Sequence, residues 1–392
     1  MSLSNITLSA AVRQNLLSLQ GTADLLATTQ GRLATGKKVN SALDNPTNFF
    51  TAAGLDARAS DISNLLDSIG NGVQVLQAAN TGITSLSKLV DTAKSIANQV
   101  LQQPTGYTTR STVTSTAALA AGSTAANLVD GIGIKSGETL AFAASVPAGL
   151  PAVTVTFGAT ETLDQLNAAL APGNLTASID STNKLVFTTT NDSASFTIGA
   201  VTPGGAGTTA FGAAVAPVAD PVSQATRSSL VTQYNQIITQ ITTTAQDASF
   251  NGINLLNGDS LKLVFDETGK STSTITGVTF NPAGLGLKSL TAGTDFLDNT
   301  TTNTVLTALN TASITLRSQA SAFGANLSIV QIRQDFNKNL INVLQTGSSA
   351  LTLADSNEEA ANSQALSTRQ SIATSALSLA NQAQQNVLQL LR

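Results

Sequence analysis

Between Leu353 and Arg392 the apolar positions Ile372, Ala376, Leu379, Ala383, Val387 and Leu390 recur in alternating steps of four and three. That is the period of a stripe down one side of an α-helix that packs on another helix. Ser, Asn, Gln and Ala fill the positions around it, and after Glu359 only Arg369 and Arg392 carry charge. A helix so short of charged flanks needs a partner along its length. The opposite end of the chain repeats the pattern: Val12, Leu16, Leu19, Ala23, Leu26 and Leu33 step in the same rhythm, with Gln30 as the polar interruption. A lone pair of helices has too little core to stand by itself. The two ends therefore predict a coiled-coil seam completed by further copies of the chain, and these twelve residues are its candidate packing positions.

Composition narrows what lies between. The chain has 392 residues, enough for two or more domains, with 11% charged, 42% hydrophobic and only 4% aromatic residues. Soluble proteins usually carry about 25% charged residues, so the surface here must be Ser, Thr, Asn and Gln. A net charge of −4, with 19 Lys and Arg scattered singly, gives no basic stripe and speaks against nucleic acid or an anionic membrane as partner. Without any Cys or His there is no disulfide, thiol nucleophile, thiolate metal site or imidazole base. No catalytic, metal or cofactor-binding residue is assigned, and no enzyme is expected. Met1 to Ala11 shows neither a positive n-region nor a continuous apolar run, which argues against a cleaved secretory signal. Uncharged runs such as Ser111 to Val129 are broken by Gly, Ser and Thr, so no membrane span is expected.

The predicted fold is mainly α with an inserted α+β domain, in which long helices from the N- and C-terminal parts form a coiled-coil bundle core and the insert forms a small β-rich outer domain. Residues 1–36 form the first helix, starting near Asn5 and stopped by Gly36, and 37–45 a connector. Asn45-Pro46 pairs an N-cap with Pro at the first helical position, opening a helix over 46–104 whose stripe includes Ile62, Leu66, Ile69, Val73, Leu76, Ile83, Val90, Ala93, Ala97 and Val100. Gly70-Asn71-Gly72 is its expected weak point.

Past Pro104 the composition turns to Thr, Gly, Ala and Pro and the period falls to two, marking an insert over 105–225. Its expected strands are Leu140/Phe142, Val153/Val155/Phe157, Leu175/Ala177/Ile179, Leu185/Phe187 and Phe196/Ile198, with a helix from Glu161 to Ala171 between the second and third: a ββαββ unit. Residues 226–300 supply a bundle helix, then a hairpin turning at Glu267-Thr268-Gly269. Residues 301–347 form a long helix through Leu306, Leu309, Leu316, Ala320, Phe323, Leu327, Val330, Phe336, Leu340 and Val343, ending at Gly347, and 348–392 the last helix. Glu358-Glu359 read as first-turn acids behind Ser356 as cap, and Lys37-Lys38 as a solvated turn.

At both ends the residues resemble bacterial flagellin. Arg32-Leu33-Ala34-Thr35-Gly36-Lys37-Lys38-Val39-Asn40-Ser41-Ala42-Leu43-Asp44-Asn45-Pro46 is similar to the family's segment joining its terminal helix to the filament-core bundle. The run Ser378 to Arg392 is similar to its C-terminal signature, and Phe250-Asn251-Gly252 to a family turn. The resemblance covers about 1–105 and 226–392. It implies a subunit that polymerises helically into the flagellar filament for motility, with the terminal helices lining an inner core. It implies secretion through the flagellar type III export apparatus to the extracellular filament, an export chaperone on the C-terminal helix, and hook-associated and cap proteins as partners, with no cofactor. The rival readings are a hook-filament junction protein or a surface adhesin with similar termini.

Overall fold

The computed structural model describes residues 10–120, 123–131, 133–145, 149–205 and 211–390, without the side chains of 11, 384 and 387–390. In chain order the elements are α1 (Ala10–Thr35), α2 (Pro46–Gln102), β1 (Tyr107–Thr109), β2 (Thr112–Thr114), β3 (Thr139–Phe142), β4 (Val153–Thr156), α3 (Leu163–Leu170), β5 (Leu175–Ile179), β6 (Leu185–Thr189), β7 (Val201–Pro203), β8 (Val218–Ala219), α4 (Pro221–Asp247), β9 (Ser260–Val264), β10 (Thr272–Thr276), α5 (Asn299–Thr352) and α6 (Ser356–Leu390). The expected start of the first helix at Asn5 lies outside the described residues. The chain divides into two compact units. One takes the described residues of Met1–Asn71, Lys262–Ser273 and Ile329–Arg392, and the other takes Gly72–Leu261 and Thr274–Ser328.

The first unit is helical. Gly36, at φ +70, closes α1 in the left-handed conformation that glycine adopts without strain. Asn45 Oδ1 then accepts from Asn48 N at 3.0 Å and starts α2, as the Asn-Pro pair predicts. Early α2 packs Ala59 and Ile62 against Leu344 of α5, with Leu55, Leu340 and Ile341 around them. Gly347 does not end α5. It packs beside Leu55, where an added Cβ would make an ordinary 3.4 Å contact with Cδ1, and α5 runs on to Thr352. The tip between β9 and β10 is tied down by Asn337 Nδ2 donating to Phe265 O at 2.9 Å and by Arg58–Glu267 at 2.6 Å. The expected α5 seam slips here: the buried row keeps a seven-residue step through Val330, Asn337 and Leu344, so Phe336 and Val343 fall one residue off it and are exposed. The bond to Phe265 O satisfies the buried Asn337 amide.

In the second unit α2 is helical through Asn71-Gly72 and buries Val73, Leu76, Ile83, Val90, Ala93, Ala97 and Val100. Gly82 is pressed against Ala248 and Leu256, leaving no room for a side chain. α4 starts five residues before the expected 226. Asp220 accepts from Val222 N and Pro221 takes the first turn, the same cap-plus-proline device that opens α2. Arg227 of α4 is 1% exposed and serves as a surrogate C-cap for α2. Its guanidinium donates to Gln103 O at 3.1 Å, Pro104 O at 2.8 Å and Phe296 O at 2.6 Å. Burial pulls its pKa down and Asp298 opposes that.

The insert leaves and returns at one place, where Asp220 N donates to Gly106 O at 2.9 Å and β1 pairs with β8. Inside it the order β3-β4-α3-β5-β6 gives the expected ββαββ succession, but the strands divide between two three-stranded sheets, β4-β3-β7 and β2-β6-β5. The expected strand at Phe196/Ile198 does not form. Its Ile198 N–H is taken by Ser111 Oγ at 3.0 Å instead of a ladder carbonyl, and strand pairing resumes at β7. The core is aromatic and aliphatic: Phe142 and Phe187 meet edge to face at 4.8 Å among Leu140, Val155, Leu166 and Leu185. The α3 helix carries a full capping box between Thr162 and Gln165.

Candidate assembly surface

α1 and α6 pack on each other within the first unit. Their junction is fixed by backbone bonds: Lys38 N and Val39 N donate to Thr352 O at 2.8 and 3.2 Å, and Ala354 N donates to Gly36 O at 3.0 Å. Lys38 Nζ also reaches Ala350 O at 3.2 Å, so this lysine of the predicted solvated turn has a partner. The first turn of α6 is capped by Asp355, whose Oδ1 accepts from Asn357 N at 2.9 Å, while Ser356 is already helical. The carboxylate is the stronger acceptor at a helix N-terminus, which displaces the cap by one residue from the expected Ser356. Glu359 is 8% exposed and pairs with Arg32 at 3.2 Å, joining the last turn of α1 to the first of α6. Asp44 Oδ2 accepts from the N–H groups of Ser41 and Asn40, which hold its pKa below the ordinary 3.8 and fix the connector.

The positions of α6 with least exposure are Glu359, Ser363, Leu366, Gln370, Ala373, Leu377 and Ala380, a perfect four-three alternation. On α1 they are Val12, Asn15, Leu19, Thr22, Ala23, Leu26, Thr29 and Arg32. These two rows form the seam inside one chain, and polar or charged side chains occupy seven of its fifteen positions. The apolar row predicted on α6 lies one residue earlier at each step: Ile372, Ala376 and Leu379 stand beside Ala373, Leu377 and Ala380. One residue is about 100° around a helix. Ile372 and Leu379 are accordingly 63% and 67% exposed, and Ala376 and Ala383 are exposed with them. The side chains of Val387 and Leu390 lie outside the described residues. On α1, Val12 is buried, Leu19, Ala23 and Leu26 are half-buried, and Leu16 and Leu33 are exposed. The ten predicted residues with described side chains thus divide into a group that the α1–α6 pair covers and a group that it leaves to solvent.

The uncovered apolar surface extends past the predicted residues. Leu17, Leu25, Leu43, Phe50, Ile329, Ile332, Phe336 and Val343 of the first unit are exposed as well. In the second unit, among the described residues, the exposed large apolar side chains are Val215, Val218, Val222, Phe250 and Ile314. Of the α5 members, Phe336 and Val343 depart from the expected core seam because the buried row passes through Asn337 and Leu344, one residue further on.

Among the described residues no cluster of three His, Cys, Asp or Glu is placed to hold a metal ion, and no helix is long and apolar enough to cross a membrane. A surface hollow of about 560 Å³ is lined by Asp91, Lys94, Ser95, Asn98, Gln99 and Gln102, all from one face of α2. Among the described residues no second element lines it.

Two family models match the chain. The bacterial flagellin N-terminal helical region matches 5–121, and the bacterial flagellin C-terminal helical region matches 306–391. Together they take in about half of the sequence and include α1, most of α5 and α6. Among curated relatives, flagellin FljM of Caulobacter vibrioides is 30% identical over 172 residues, 44% of this chain and 62% of the relative. A flagellin of Brucella melitensis is 28% identical over 177 residues, 42% of this chain and 62% of its own. Flagellin A of Rhizobium meliloti is 39% identical over 77 residues, 20% of each chain. The chain spans about 62% of the length of the first two relatives.

Proposed function

The chain belongs to the bacterial flagellins, and from that premise we propose that it is a structural subunit that polymerises helically into the flagellar filament for swimming motility. The observation that carries the proposal is the row Ile372, Ala376, Leu379 and Ala383, which has the spacing of a packing seam and is left exposed by the α1–α6 pair. An uncovered apolar row on a helix almost without charge has an unfavourable exposure to water that a neighbouring copy removes. In this reading Val12, Leu16, Leu19, Ala23, Leu26 and Leu33 of α1 complete the seam. Residues 1–36 and 348–392 form the inner core, 37–45 the connector, 46–104, 226–300 and 301–347 the outer bundle, and 105–225 the outward-facing variable domain.

The family is structural, and the reading assigns no catalysis. The partners are copies of the same chain, the type III export apparatus, an export chaperone and the hook-associated and cap proteins, and the location is the extracellular filament. Electron microscopy of purified protein seeded with filament fragments tests it. The proposal expects long uniform tubes. Protein that stays soluble at all concentrations, or that stops at a short ring as a junction protein would, contradicts it.

A further inference from the structure

We propose that Asn251 is a site of spontaneous deamidation and isoaspartate formation, and that it converts ahead of the chain's other Asn-Gly pairs, Asn71-Gly72 and Asn257-Gly258. The reaction starts when the backbone nitrogen of the following residue attacks the Asn side-chain carbonyl. Glycine permits it best because no Cβ obstructs the approach. The Gly252 N–Cγ bond forms, the Gly252 amide proton passes to a solvent base, and the Cγ–Nδ2 bond breaks as Nδ2 takes up a proton from water and leaves as ammonia. Water then opens the succinimide at either carbonyl. Opening at one gives Asp, and opening at the other gives isoaspartate, with water consumed and ammonia released overall.

The three pairs sit in different backbone settings, and these set the order. Gly72 lies within continuous α2, so its N–H is committed to the helix ladder and Asn71 can react only after several turns unwind. Asn257 is held on both sides: its own N–H donates to Asn254 O at 3.1 Å, its backbone bridges Thr279, and a Cβ at Gly258 would meet Thr279 Oγ1 at 3.1 Å. Asn251 and Gly252 form the two-residue tip of a reverse turn at φ +50 and +80, closed by Phe250 N to Ile253 O at 3.0 Å and Ile253 N to Phe250 O at 3.1 Å. Both tip residues are exposed, and no described hydrogen bond engages the Asn251 side chain or the Gly252 N–H. Opening two bonds frees the backbone rotation that brings Gly252 N to Cγ.

The consequence is local and specific. Isoaspartate lengthens the main chain by a methylene and cannot keep the reciprocal pair of bonds. The next anchor is Asn254, whose Nδ2 donates to Ala245 O and Gln246 O at 2.8 Å each and so caps α4. Conversion at Asn251 therefore adds a negative charge and loosens the end of α4. The chemistry requires only the folded chain and water, and it stands apart from the filament reading.

The test incubates the full-length protein at mildly alkaline pH, labels it with protein isoaspartyl methyltransferase, and locates the label by peptide fragmentation. Asn251 should gain label several-fold faster than Asn257, with Asn71 silent until denaturant is added. Asn251→Gln, whose longer side chain closes its ring far more slowly, should lose the early label and keep the later one. Label appearing first at Asn257 or Asn71, or none at Asn251 while a short peptide carrying Phe250-Asn251-Gly252 converts fully, overturns the proposal.

Discussion

The α1–α6 pair and the insert between Tyr107 and Ala219 solve the problem of apolar side chains in opposite ways. The insert turns Phe142, Phe157, Phe187 and its leucines inward, to exposures of 2% or less for the three Phe, and among its described large apolar side chains leaves only Val215 and Val218 exposed. The terminal pair shares a thin seam that includes Thr22, Thr29 and Gln370 and leaves Ile372 and Leu379 more than 60% exposed. A region that buries its own apolar surface carries its own stability. A region that keeps such surface outside acquires stability only when something covers it.

That contrast is most easily broken at its two strongest points. Leu379→Asp should abolish polymerisation while leaving the soluble protein's melting unchanged. A lost Leu contact costs about 2–5 kcal/mol in a packed site, and a buried unpaired carboxylate adds several more. Since each factor of ten is worth about 1.4 kcal/mol, the critical concentration should rise by orders of magnitude. Sedimentation of seeded polymer beside a melting curve checks both halves. Phe187→Ala should do the reverse: it lowers the stability of the soluble chain by roughly 3–5 kcal/mol, read in denaturant unfolding, and leaves any residual folded protein able to pellet with seeds.

Two pH effects sharpen the same distinction at lower magnitude. Tyr234, 1% exposed in α4 and edge to face with Phe296, has its pKa pushed up from 10.0 to about 12 by burial, with Asp295 adding to the rise. A raised folded pKa gives stability that is whole below pH 10 and lost as pH climbs toward 12, by roughly 2 kcal/mol. Tyr234→Phe should flatten that alkaline loss in unfolding curves. Asp44 has the opposite sign. Its folded pKa is depressed below 3.8, so its contribution is present above that pH and fades as pH falls further. Amide exchange at Asn40 and Ser41 should quicken in that acid range before the insert changes, and simultaneous loss of both would remove the local assignment.

Long helices, their proline-marked starts and half of the insert's strands, β3 to β6, were legible because each rests on a local signal: Asn45-Pro46, Gly36, and period-two runs such as Leu175/Ala177/Ile179. Asp220-Pro221 carries the same signal and could have placed the start of α4. What stayed hidden depends on partners distant in sequence. No pattern announces that Ser111 takes the Ile198 N–H, that Arg227 caps α2, or that buried Asn337 finds its partner at Phe265 O. The intrachain seam of α6 was hidden for a related reason: Ser363, Gln370 and the small Ala373 and Ala380 look like flanks, so the eye follows the more apolar row beside them. That row is the one the single chain leaves uncovered.

The central claim is that this row is covered only between copies. The chain has no cysteine, so one introduced at Leu379 is a unique probe, and a separate variant with cysteine at exposed Ser181 in the insert is the matched control. Maleimide labelling of soluble and polymerised protein is the measurement. The account predicts that position 379 reacts readily in the soluble chain and is protected in the polymer, while position 181 reacts in both. Protection at 379 in the soluble chain, or free reaction there in the polymer, would contradict it.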